Sequence, residues 1–128
     1  MKHRWLLLWS AAFGASGVMA GAFGAHGLKN RLPVSALEIW DIAVRYQLLH
    51  AVVLLCLFAL VQQWRHPLVR RAGQLMIAGT LCFSGSLYLL AFTGSKWLGP
   101  ITPLGGLFLI VGWLLLFYAA LKTPQTPD

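Results

Sequence analysis

The sequence predicts an all-α integral membrane protein, a bundle of four transmembrane helices joined by short loops with both termini cytoplasmic. Three observations carry this expectation. Four apolar runs have membrane-spanning length, 59% of residues are hydrophobic against 10% charged, and most Lys and Arg lie between the runs. Soluble chains average about 25% charged residues. Ten Lys and Arg with three acidic residues cannot cover a 128-residue globule. The spans are expected at about 5–27, 42–63, 72–93 and 102–121, in one domain over 1–122, with 123–128 a short disordered tail.

The first run opens after Met1-Lys2-His3-Arg4, and its start resembles a secretory signal. It continues through Gly21 to Ala25, however, giving about 34 Å of helix against a hydrocarbon core of about 30 Å. A retained span is therefore expected. Within it Ser10, Gly14, Gly17, Gly21 and Gly24 recur every three or four residues, forming one low-bulk strip. In lipid, such strips let helix backbones approach and accumulate dispersion contacts. Gly14, Gly17, Gly21 and Gly24 are the expected packing glycines, and the other three runs are expected to pack around this helix.

Pro33 and Ser35-x-x-Glu38 read as a turn and capping box opening the second helix outside the membrane. Asp41 and Arg45, one turn apart, are expected to form an ion pair at the membrane boundary. Arg65 to Arg71 reads as a basic connection turned by Pro67. The third run has a low-bulk middle containing Gly79, Thr80, Ser84, Gly85 and Ser86, where the hydroxyls are expected to bond carbonyls or a facing helix. Thr102-Pro103 reads as an N-cap followed by the first helical residue of the fourth run, which carries Gly105, Gly106, Gly112 and Trp113. Trp5, Trp40, Trp64 and Trp97 fall at helix ends, as an aromatic belt would place them. Trp9 and Trp113 are expected against the glycine surfaces.

Four spans gather Lys2, Arg4, Arg65, Arg70, Arg71 and Lys122 on one side against Lys29, Arg31, Arg45 and Lys96 on the other. The positive-inside rule then places both termini in the cytoplasm of a bacterial inner membrane. The formal charge of +7 is spread over these short clusters, so it suits anionic headgroups rather than nucleic acid. Cys56 and Cys82 lie within apolar runs, without metal or CxxC spacing, and read as small hydrophobes.

Candidate chemistry rests on few residues. His26 and His50 are expected toward the non-cytoplasmic half of the membrane, which leaves them free to approach one another, and two imidazoles together can ligate or pass a proton; the sequence leaves their contact open. No third ligand completes a metal site, and a histidine that hydrogen-bonds a neighbouring helix is the simpler reading. Ser84-Gly85-Ser86 lacks the strand-turn-helix setting of a nucleophile elbow.

Four signatures read together resemble a known family: Gly21-Ala-Phe-Gly-Ala-His26, the Trp40 to His50 stretch with Tyr46 and Gln47, Phe83-Ser-Gly-Ser-Leu-Tyr88, and Thr102-Pro103-Leu-Gly-Gly106 leading to Gly112-Trp113. The chain resembles the YgdD-like small inner-membrane proteins, domain of unknown function 423, related to the transmembrane protein 256 group. That resemblance implies four inner-membrane helices and no established activity. The residues matching its polar motif positions, His26, Tyr46, Gln47, His50, Ser84, Ser86, Tyr88 and Thr102, form the candidate functional cluster.

The expected function is a non-enzymatic structural or interaction role for a multi-pass membrane protein of unknown biochemical activity. A small transporter or channel component with a polar path near His26 and His50 is one alternative, and a membrane redox or lipid-modifying protein is another. No cofactor, metal or nucleic acid is expected. The expected partners are the lipid bilayer and a membrane-protein partner or second copy.

Overall fold

The computed structural model describes residues 1–127. Its elements are α1 (Arg4–His26), α2 (Val34–Gln63), α3 (Pro67–Thr93), a single 3-10 turn (Lys96–Leu98) and α4 (Ile101–Lys122). All four helices are long and apolar enough to cross a membrane. The chain is an all-α membrane protein. Of the tail expected at 123–128, residue 128 lies outside the described residues.

The helices pack in chain order, α1 on α2, α2 on α3 and α3 on α4. Ten residues of α2 and eleven of α3 are buried, against four each in α1 and α4. The expectation that the other runs surround the first helix is therefore corrected: α2 and α3 form the centre, and α1 and α4 flank them. A low-bulk strip offers one narrow face, enough for one close neighbour. α1 meets α3 near the termini, where Leu6 and Trp5 lie against Gly73.

Helix starts also differ from the sequence reading. The cap of α2 is Pro33, with φ −64° and ψ 158°, and no side chain caps it. Its carbonyl accepts from Ala36 and Leu37, so the helix is already under way at Ser35 and the Ser35–Glu38 box does not form. Pro67 opens α3 rather than turning a loop, and the His66 imidazole accepts from the Leu68 N–H at 3.2 Å. Proline suits a first helical position, where its missing N–H would have no partner. Arg70 and Arg71 thus stand on the helix. α4 begins at Ile101, because Gly99 and Pro100 already have helical dihedrals. Thr102 lies in its first turn and is not a cap.

Two contacts gather the chain ends. The Gln62 amide donates to the Lys2 carbonyl at 2.9 Å, and the Trp64 indole donates to the Thr123 hydroxyl at 3.1 Å. At the opposite end Gly94, at φ 64°, supplies the left-handed residue that closes α3. Trp40 is not an interfacial belt residue: it is 8% exposed and donates to the Ala20 carbonyl of α1 at 2.8 Å. An indole buried between two helices needs such an acceptor.

Candidate functional site

Gln47 joins three helices. Its amide nitrogen donates to the Phe13 carbonyl at 3.0 Å and to the Ser16 hydroxyl at 2.7 Å on α1, and its amide oxygen accepts from the Tyr88 phenol on α3 at 2.7 Å. Both amide protons are spent. α1 comes this close because of its glycines: a Cβ on Gly17 would lie 2.6 Å from Leu48, and one on Gly24 would lie 2.5 Å from the Trp40 ring. Ser10 donates to the Ala51 carbonyl and Ser84 to the Ala43 carbonyl, each at 2.7 Å. These two hydroxyls of α1 and α3 thus end on the backbone of α2.

Thr80 breaks this pattern. It is 2% exposed, and its hydroxyl has no hydrogen-bond partner. It lines a crevice of about 420 Å³ between α1 and α3, walled by Phe13 and Ser16, floored by Trp40 and Gln47, and closed on the α3 side by Thr80 and Tyr88. Among the described residues, no charged side chain lines it.

The eight candidate residues do not form one cluster. Gln47 and Tyr88 join directly, and Ser84 lines the same crevice. Ser86 and Thr102 pair separately at 2.6 Å between α3 and α4. His50 faces α4: its Nδ1 lies 2.9 Å from the Tyr46 carbonyl, and its Nε2 accepts from the Trp113 indole at 3.3 Å. A neutral imidazole protonated on Nδ1 satisfies both contacts. The Tyr46 ring stacks on His50 and tilts against Phe83. Trp113 is therefore a donor to His50 rather than a cover for glycine.

His26 is exposed at the end of α1. The contacts Ser10–Ala51 and Gly17–Leu48 put His50 level with residues 10 to 17, nine or more residues from His26 and so at least about 13 Å away along the helix. The two histidines, whose contact the sequence leaves open, do not meet. Asp41 and Arg45 pair at 2.7 Å with side chains 65% and 73% exposed. Gly14 differs from Gly17, Gly21 and Gly24, since a Cβ there would meet nothing within 4 Å. It lies beside the α1–α2 contact rather than in it. Among the described residues, no three His, Cys, Asp or Glu side chains are placed to hold a metal ion.

Sequence reasoning missed Ser16, whose only signal was its place beside Gly17, and the isolation of Thr80, which no local pattern announces.

Fold and site together define a four-span helical membrane protein whose buried polar side chains mostly tie its helices together. The family model described as "Protein of unknown function (DUF423)" matches residues 20–106, and the chain belongs to that family. It is 38% identical over 123 residues to a UPF0382 membrane protein of Haemophilus influenzae, covering 96% of this chain and 98% of that one. It is 44% identical over 103 residues to the UPF0382 membrane protein YwdK of Bacillus subtilis, covering 80% and 84%. A UPF0382 membrane protein of Staphylococcus epidermidis is 46% identical over 105 residues, covering 82% and 85%. No solved structure matches the chain.

Proposed function

We propose that the protein is a non-enzymatic interaction protein of the bacterial inner membrane, with both termini cytoplasmic. The observation that supports this reading is where the polar groups go. Ser10, Trp40, Gln47 and Ser84 all donate to carbonyls of a neighbouring helix. Groups so engaged hold helices together, and none is left beside a reactive partner as an activated nucleophile would be.

The orientation rests on charge. The end that carries the termini also carries Lys2, Arg4, Arg65, Arg70, Arg71 and Lys122, and lysine and arginine excess marks cytoplasmic loops. Reporter fusions at the C-terminus test it, and an extracytoplasmic reporter signal would reject it.

The partner in this reading is a membrane helix, from another protein or from a second copy, seated beside α1 at Gly14, where space for a neighbour is open. Gly14→Leu should then remove association and leave the fold intact. The mass of the purified particle, measured by light scattering in mild detergent, checks this. An unchanged particle, or one that is the monomer in both forms with no co-purifying protein, would reject it.

A further inference from the structure

Thr80 is the midpoint of α3, thirteen residues from Pro67 and thirteen from Thr93, so its unpartnered hydroxyl lies at the middle of the span. In helices a threonine hydroxyl ordinarily finds the carbonyl one turn back. A buried O–H without an acceptor bears the full cost of its lost hydration, so an acceptor arriving from outside the chain has an interaction to gain. The crevice that Thr80 lines leads along α3 to Phe92, a rise of about 18 Å.

Its shape limits what can enter. About 420 Å³ spread over that length makes a slot narrower than a helix with its side chains, which is about 10–12 Å across. One hydrocarbon chain or one flat ring fits, and a partner helix does not. Because no charged side chain among the described residues lines the crevice, it offers nothing to a phosphate or carboxylate. The Ser84, Gln47 and Tyr88 donors are already engaged, leaving the Thr80 O–H as the free one.

We propose that the crevice between α1 and α3 binds an uncharged, single-chain lipid carrying a carbonyl oxygen into the bilayer interior, the chemistry of an isoprenoid quinone. The carbonyl accepts from the Thr80 hydroxyl, which is buried behind the crevice wall and turns to it about χ1, between the two rotamers that threonine adopts in helices, and the chain lies along α3 towards Phe92. This binding is independent of the α1 contact at Gly14, which lies outside the crevice.

Gly85 lines the crevice, and a Cβ there would meet nothing within 4 Å. Gly85→Leu therefore fills the space without touching the helix contacts, while Thr80→Val removes the hydroxyl and keeps the shape. The full chain in lipid nanodiscs is equilibrated with decylubiquinone, or with dodecylbenzene, which has a ring and chain but no oxygen, and the retained probe is extracted and quantified against empty nanodiscs. Saturable retention of about one quinone per chain is expected, weakened about threefold to tenfold in Thr80→Val, the loss of one hydrogen bond. Thr80→Ser should stay within about twofold of the wild type, and Gly85→Leu should abolish saturation. Retention no greater than that of empty nanodiscs, equal retention of dodecylbenzene, or an unaltered affinity in Thr80→Val would each overturn the proposal. Thr80→Val decides the matter even if Gly85→Leu fails to fold.

Discussion

The α1–α2 and α3–α4 contacts both depend on glycine, and they use it differently. On α1, added methyl groups would meet side chains: Leu48 at Gly17, Val44 at Gly21 and the Trp40 ring at Gly24. Where α3 meets α4 they would meet side chains of Leu109 and Met76 and, beyond these, the facing backbone itself. A Cβ on Gly79 would lie 2.9 Å from the Gly105 carbonyl oxygen, one on Gly112 would lie 3.3 Å from the Ala72 carbonyl oxygen, and one on Gly105 would overlap the Phe83 nitrogen and Cα. Side chains can rotate away, but a helix backbone moves only as a whole. The first contact is therefore adjustable and further held by hydrogen bonds. The second is rigid and is crossed by the Ser86–Thr102 pair, while Trp113 and Thr123 tie the α4 end of the chain to His50 and Trp64 of the α2 segment.

Single substitutions can break this comparison. Gly105→Ala should have the largest effect, above the roughly 1–3 kcal/mol typical of overpacking, because α4 must shift bodily from α3. Thermal unfolding in detergent measures it, and a loss smaller than that of Gly24→Ala would undo the distinction. Gly24→Ala should cost about 1–3 kcal/mol, since it displaces the Trp40 ring and its bond to Ala20. A shift in Trp40 fluorescence, read in a variant whose other tryptophans are phenylalanine, should accompany the loss. Gln47→Leu should cost about 1–3 kcal/mol, leaving the Tyr88 phenol without its acceptor. Gly17→Ala should be near neutral, because the flexible tip of Leu48 can yield and alanine gains up to about 1 kcal/mol in helix propensity. Smallest of all, Asp41→Asn should change stability by less than about 1 kcal/mol, as exposed pairs do.

The two contacts were also unequally legible. The α1 strip is visible because residues three and four apart share a helix face, and Gly17, Gly21 and Gly24 fall in that frame. Gly14 shares the spacing but drifts off the contact, since alternating steps of three and four do not hold one line on a helix of 3.6 residues per turn. Gly79, Gly105 and Gly112 show only as low bulk, because which backbone each one meets depends on how α3 and α4 come together. Four spans follow from run length alone, but the central place of α2 and α3 depends on how many faces each helix buries, which composition does not encode. Gln47 was a named candidate, yet its role arises from Phe13, Ser16 and Tyr88, separated from it by 31 to 41 positions. Trp40 was misread for the opposite reason. Its position near a helix start suggested the interface, while Gly24 opposite it opens the space that buries it.

Leu6 seated against Gly73 has a consequence for sidedness. It shuts the gap between α1 and α3 at the end bearing the termini, while the crevice occupies the other half of α3, from Thr80 to Phe92. This crevice therefore lies level with the half of the span away from the termini. A molecule dissolved in the leaflet on that side can slide in sideways without crossing water, whereas one in the facing leaflet must first flip across the bilayer. The lipid proposed for this crevice would then be drawn from one monolayer, and the two faces of the membrane would be chemically unequal to this small bundle.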